Sequence, residues 1–266
     1  SYFAQPLVIP GISSSSEPYD APNGALCVNF NTVFFKKETG TYLSAEPQTP
    51  LLPIVLQRIT ASGLNEGRIV LSHNENEITL YSGYLFDHFL RQAGVTVTGK
   101  VAIGTVRPGR DHLIYRHQSP LTLSDTIARL LTYSNNYTTN QILIAAGARR
   151  YGPPGTLEKG VQVARDYARC ILQLNDIHIS EGSGISRANR VTAHDMQKVL
   201  DAFAPYHTLM RSDGRQFYKT GTLRGISTRA GYIERPDGSL HRFVVLVNSP
   251  GRSAEQVTRN LIRGLE

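Results

Sequence analysis

The 266-residue chain is 40% hydrophobic and 18% charged, with a formal net charge of +7. This composition excludes wholesale disorder, a collagen-like fibre and a coiled coil, and the length suffices for one large or two modest domains with a core that needs no staples. No apolar run approaches the roughly 18 residues of a membrane span, and the dispersed basic residues describe a solvated surface rather than a nucleic-acid site.

Ser1-Tyr2-Phe3 opens the chain without an initiator Met, a basic n-region or an apolar h-region, which reads as a start inside a larger polypeptide or after processing. Residues 1–24 are rich in Pro, Ser and Gly, as in an irregular lead-in. Leu26–Phe35, Ile54–Thr60 and Arg68–Ser72 are β-branched and aromatic runs expected to be strands, broken by Gly40, Pro47, Pro50, Pro53 and Gly63. Residues 1–78 are therefore expected to form a small β-rich region, and 79–266 a second domain.

Helical periodicity then takes over. Tyr84, Leu85, Phe89 and Leu90 mark a helix before Gly94, and Val95–Ile103 is expected to follow as a strand. Leu123, Ile127, Leu130 and Leu131 define an amphipathic helix with Ser124 and Asp125 near its start. Leu143, Ile144 and Ala146 belong to the next, expected to stop at Gly147. Leu157, Val161, Ala164, Ala168 and Ile171 line a longer helix after Pro154, and Met196, Val199, Leu200 and Phe203 a further one. Gln216–Gly221, Thr228–Glu234 and Arg242–Asn248 read as strands, the last two joined by the turn signal Pro236-Asp237-Gly238. Val257, Leu261, Ile262 and Leu265 close the chain as a helix. The expected fold class is α+β, an antiparallel sheet flanked by helices.

Three local sequences have the residue types for chemistry. Ser134-Asn135-Asn136 is an SxN at a helix junction. Positions i and i+2 do not face each other on a continuous helix, so only a non-helical turn aims both side chains into one cleft; alone, the same residues make a helix N-cap. Lys219-Thr220-Gly221-Thr222 lies on the first closing strand. Period two puts Lys219 and Gly221 on one face, an ammonium beside a position with no side chain, where an extended anionic substrate can approach closely. An edge-strand lysine that blocks aggregation would look the same locally. Glu181-Gly182-Ser183-Gly184-Ile185-Ser186-Arg187 is not GxSxG, because position 181 is Glu, and a tight connecting loop accounts for it.

The eight histidines include no HExxH, and His112 and His117 stand five apart, off one helical face, so no metal or cofactor is expected. Cys27 and Cys170 fit no zinc spacing and leave open one disulfide or two buried thiols.

In this order, the three sequences resemble the motif set of serine penicillin-recognising enzymes, SxxK, SxN and KTG. The chain is similar to the class C low-molecular-mass penicillin-binding proteins, the D-alanyl-D-alanine carboxypeptidases/endopeptidases. Ser134–Asn136 matches their SxN, Glu181–Arg187 their DGSGLSR with Glu for Asp and Ile for Leu, and Lys219–Leu223 their KTGTL, followed by a similar Gly225-Ile226-Ser227. The resemblance implies a transpeptidase-like fold, with residues 79–266 as the transpeptidase-like portion and 1–78 as part of an insert. It implies a D-Ala-D-Ala stem peptide of peptidoglycan, or a β-lactam, as ligand, and a periplasmic location. By the same resemblance Ser134 relays a proton to the leaving amine and Asn136 holds the substrate amide. Lys219, Thr220 and Thr222 bind the substrate carboxylate beside Gly221, and the Thr222 N–H forms half of an oxyanion hole.

One element of the pattern is missing from the sequence: no serine has a lysine three positions later. The expectation is a fold incomplete at its N-terminus and inactive alone, completed by a separate N-terminal portion or covered by a rearranged lead-in segment or by a second copy in a homodimer. A non-catalytic binder of peptidoglycan or protein is the alternative.

Overall fold

The computed structural model describes residues 2–264. In the first half of the chain the elements are β1 (Thr32–Glu38), β2 (Thr41–Ser44), α1 (Pro53–Ser62), β3 (Glu66–Val70), α2 (Glu75–Gln92) and α3 (Leu123–Tyr133). There follow α4 (Asn136–Tyr151), α5 (Leu157–Asp166), α6 (Ala193–Phe203), β4 (Arg211–Asp213), β5 (Gln216–Leu223), β6 (Ile226–Glu234), β7 (Leu240–Val247) and α7 (Ala254–Arg263). The chain divides into two units, one formed by residues up to Arg116 with Asn136–Gly160, the other by His117–Asn135 with the residues from Val161 onward.

The first unit holds a three-stranded antiparallel sheet in the order β2-β1-β3. Val33 and Phe35 alternate inward from β1 and meet Val55 and Ile59 of α1 and Ile78, Tyr81 and Leu85 of α2. The apolar spacing four residues apart, not the β-branching, decides α1. Pro53 supplies the fixed φ of a first helical position, and Val55 and Ile59 are both fully buried on one face. The strand expected at Ile54–Thr60 is thus a helix. The strand expected at Leu26–Phe35 begins only at Thr32, because Asn29, Phe30 and Asn31 all adopt positive φ in a tight turn. Asn31 is fully buried and fixes that turn: its Oδ1 accepts from the Val28 N–H at 3.3 Å and its Nδ2 donates to the Pro22 carbonyl at 2.9 Å.

Val95–Ile103 forms no strand. Its alternation has no ladder to join, and Val95 and Ile103 are exposed. Helix α4 runs past Gly147 to Tyr151, and Gly147 serves packing instead of termination. A Cβ there would lie 2.5 Å from the Gly160 nitrogen and 2.7 Å from the Lys159 carbonyl carbon, so the absent side chain lets α4 touch the start of α5 backbone to backbone.

The second unit is built on an antiparallel sheet in the order β4-β5-β6-β7, with α6 packed on β7 and α7 on β6 and β7. The three closing strands expected from the alternation are β5, β6 and β7; β4 adds a short fourth strand. Tyr218, Ile233, Phe243, Val245 and Ala254 form the core between sheet and α7, and the buried Tyr232 hydroxyl donates to the Leu200 carbonyl of α6 at 2.5 Å. The closing helix is present as α7; Leu265 lies outside the described residues. The fold is α+β, an antiparallel sheet flanked by helices. Among the described residues no helix is long and apolar enough to cross a membrane, and no group of three or more metal-binding side chains forms. Cys27 and Cys170 are free, exposed thiols.

Candidate active site

Helix α3 delivers Ser134. Thr122 and Asp125 close a reciprocal capping box at its start, and at its end Ser134 leaves the helix in the left-handed region, with φ 56° and ψ 51°. Its backbone N–H still bonds the Leu130 carbonyl at 2.8 Å, so the residue is tethered while its side chain stays exposed. The break lies between α3 and α4, where the chain leaves one unit for the other: Ser134 ends α3, and Asn136 opens α4 in the first unit, donating its Nδ2 to the Tyr19 carbonyl at 3.3 Å.

Strand β5 delivers Lys219. It pairs with Ala230 of β6, and its ammonium donates to the Ser134 hydroxyl and, at 2.7 Å, to the Thr220 carbonyl. Partial burial holds the Lys219 pKa below the ordinary lysine value, because desolvation disfavours the charged form. Gly221 lies opposite Thr228. A Cβ on it would stand 2.6 Å from the Thr228 hydroxyl, which instead donates to the Gly221 carbonyl at 3.3 Å. A side chain at 221 would displace that hydroxyl.

Thr220 and Thr222 go elsewhere. Both are exposed and line a cavity of about 400 Å³ together with Arg211, Tyr218, Ser227 and Arg229. Strand alternation sets them on the face opposite Lys219 and Gly221. Within the second unit, therefore, Ser134 and Lys219 are in contact, while the two threonines flank β5 from its other side.

The Glu181–Arg187 loop is a brace. The Glu181 carboxylate is 2% exposed and accepts from the N–H and hydroxyl of Ser183, both at 2.6 Å, from the Gly184 N–H at 2.7 Å, and from the Asn189 amide. One buried carboxylate thus collects the donors of a tight turn. Arg187 then donates to the Arg224 carbonyl at 2.6 Å, in the turn that joins β5 to β6. Nothing in the local sequence signals this link, which is a tertiary contact.

An antiparallel sheet with a Lys-Thr-Gly strand beside a serine that caps a helix defines the class of serine penicillin-recognising folds. The fold aligns with the crystal structure of penicillin binding protein 4 from Haemophilus influenzae at a TM-score of 0.77 over 100% of this chain and 73% of that chain, at 17% identity. A second structure of that protein, in complex with a β-lactam, aligns at a TM-score of 0.61 over 75% of this chain and 53% of that chain, at 21% identity. By sequence the chain is 25% identical to the D-alanyl-D-alanine carboxypeptidase of Actinomadura sp. (strain R39), over 88% of this chain and 49% of that protein. It is also 25% identical to D-alanyl-D-alanine carboxypeptidase DacB of Haemophilus influenzae, over 63% of this chain and 40% of that protein. The chain thus spans about half the length, or less, of these curated relatives. Residues 65–213, more than half of the chain, match the D-Ala-D-Ala carboxypeptidase 3 (S13) family model, and the chain belongs to that family.

Proposed function

We propose that this chain is the part of a periplasmic D-alanyl-D-alanine carboxypeptidase that receives the D-Ala-D-Ala end of a peptidoglycan stem peptide, or a β-lactam in its place. The observation that carries this reading is the hydrogen bond from the Lys219 ammonium to the Ser134 hydroxyl. A lysine whose burial eases its deprotonation, joined to a hydroxyl, is a route for one proton. In the hydrolysis of the terminal peptide bond, the acyl C–N bond breaks and the departing D-Ala nitrogen must gain a proton. Ser134 supplies it and recovers one through Lys219. The Thr222 N–H of β5 stabilises the oxyanion.

Turnover in this scheme needs a nucleophile from an SxxK segment, and no serine among the 266 residues has lysine three positions later. Removing the nucleophile of a serine protease costs a factor of about 10⁶ in kcat. We therefore read the chain as a binder on its own and a hydrolase when an SxxK-bearing portion completes it. The missing pair also favours a second reading, a family member that binds peptidoglycan peptides without turnover in any assembly.

Two measurements test this. Acetyl-L-lysyl-D-alanyl-D-alanine should bind saturably and reversibly to the isolated chain without release of D-Ala, and fluorescent penicillin should not label it covalently. Adding a polypeptide that carries the SxxK region of a family member should restore D-Ala release. Covalent labelling of the chain alone would overturn the assignment of a missing nucleophile, and absence of peptide binding would overturn the site.

A further inference from the structure

One hydroxyl among the described residues is buried without a hydrogen-bond partner, that of Tyr137. Tyr137 stands in the first turn of α4 and is 4% exposed. The Phe30 ring meets its ring edge-on, with centroids 6.3 Å apart. Asn23 Nδ2 donates to the Tyr137 carbonyl at 2.8 Å and to Gln141 Oε1 at 3.0 Å, and Gln141 Nε2 donates to the Gly24 carbonyl at 2.6 Å. Residues 23 and 24 are thus tied to α4, and the chain that continues from them sets Cys27 beside the buried hydroxyl, whose other polar neighbour is the Gly24 N–H. All of these residues belong to the first unit.

Buried hydroxyls in folded proteins find partners, and a thiol sulfur is a weak acceptor for one. An oxygen carried on that sulfur would be a stronger acceptor. Burial raises the Tyr137 pKa and the neighbouring Cys27 sulfur adds to the rise, so the phenol keeps its proton and remains a donor. Cys27 itself is a free thiol open to solvent. We infer that Cys27 is a site of reversible oxidation, at which hydrogen peroxide converts the thiol to a sulfenic acid whose oxygen accepts from the Tyr137 hydroxyl. In that step the sulfur attacks one peroxide oxygen, an S–O bond forms and the O–O bond breaks. The thiol proton leaves with the departing oxygen as water, so the sulfur is oxidised by two electrons and the peroxide reduced by two. The sulfur is accessible to the oxidant, while the donor that holds the product is shielded from water. Cys170 supplies a comparison within the same chain. It is also free and exposed, in the turn Tyr167–Ile171, but the hydroxyl-bearing residue of that turn, Tyr167, is 53% exposed and served by water.

The test treats the intact chain with hydrogen peroxide, removes the excess with catalase and traps sulfenic acid with dimedone after increasing delays, the adducts being mapped by mass spectrometry. Sulfenic acid at Cys27 should persist roughly five-fold longer than at Cys170, the worth of one added hydrogen bond. Dithiothreitol should return the untrapped thiol, and Tyr137→Phe should bring the two lifetimes together. Equal lifetimes at the two cysteines, or a Cys27 lifetime unchanged in Tyr137→Phe, would overturn the assignment. So would the absence of a dimedone adduct at Cys27, or its passage to sulfinic acid that dithiothreitol does not reverse. The comparison of the two cysteines is read on the unaltered chain, so it decides even where the variant misfolds.

Discussion

The Lys219 ammonium hydrogen-bonds the Ser134 hydroxyl across a separation of 85 residues, joining the end of a helix to a sheet strand. Helix α3 packs beside β4, the strand adjacent to β5, so the left-handed residue that ends it lies where β5 can reach it. Because the contact partly desolvates a lysine, it sets a pH dependence. The folded pKa of Lys219 lies below the ordinary value of 10.5, so between the two values the unfolded chain binds more protons than the folded one. Stability contributed by this group therefore rises with pH through that window, and the penalty for burying the charge is fully present below it. The ¹³Cε signal of Lys219 should titrate at lower pH than that of Lys36, whose pKa is raised by its hydrogen bond with Glu38. Lys219 titrating with or above Lys36 would contradict the burial.

The same contact should appear as a coupling energy. Ser134→Ala and Lys219→Met each remove one side of the bond, and the double variant removes nothing more. A hydrogen bond with one charged partner at a half-exposed site is worth about 1 kcal/mol, within the range for residues in direct contact. A double-mutant cycle by urea denaturation should give a non-additive term near that size. Strict additivity would mean that the two groups do not interact in solution.

The close approach of α4 and α5 predicts a large effect from a small change. Alanine at 147 would place a methyl group 2.5 Å from the Gly160 nitrogen, against backbone that can yield only if a helix moves. Overpacking of this kind costs roughly 1–3 kcal/mol, even though alanine is the better helix former. Arg149→Ala, exposed on the same helix, should change stability by no more than about 0.5 kcal/mol. Chemical denaturation of both variants measures the contrast, and a stabilised Gly147→Ala would show that the helices do not touch there.

What the sequence revealed depended on whether local pattern or distant partners decided each element. The closing sheet was legible because period-two alternation and Pro236-Asp237-Gly238 are both local signals, and β6 and β7 follow them closely. The motif order relates Ser134 to Lys219, and the Lys219 ammonium hydrogen-bonds the Ser134 hydroxyl. Helix α1 was misread because β-branched Ile54, Val55, Ile59 and Thr60 suit a strand, whereas the burial of Val55 and Ile59 against α2 decided for helix. Val95–Ile103 failed for the opposite reason: alternation alone supplies no partner strand. Gly147 read as a terminator because its true constraint, the backbone of Gly160, is a tertiary contact. The packing of Arg229 on the Tyr218 ring has no local signal, because it joins residues of two neighbouring strands.

The Glu181 loop carries the last expectation. Its carboxylate takes the backbone N–H groups of Ser183, Gly184 and, at 3.3 Å, Ser186, and the turn they form holds Arg187 where it reaches the Arg224 carbonyl. Glu181→Ala would leave those donors without their acceptor in a partly buried turn, at about 1–3 kcal/mol for each donor that water cannot reach. Glu181→Gln keeps one carbonyl acceptor and should lose less. Because Arg187 ties the loop to the β5–β6 turn, the damage should travel. Hydrogen exchange at Leu223, Arg224 and Gly225 should speed up in Glu181→Ala and, to a similar degree, in Arg187→Met, which leaves the carboxylate network intact. Faster exchange in Glu181→Ala alone would show that the loop is self-contained and does not brace the strand bearing Lys219.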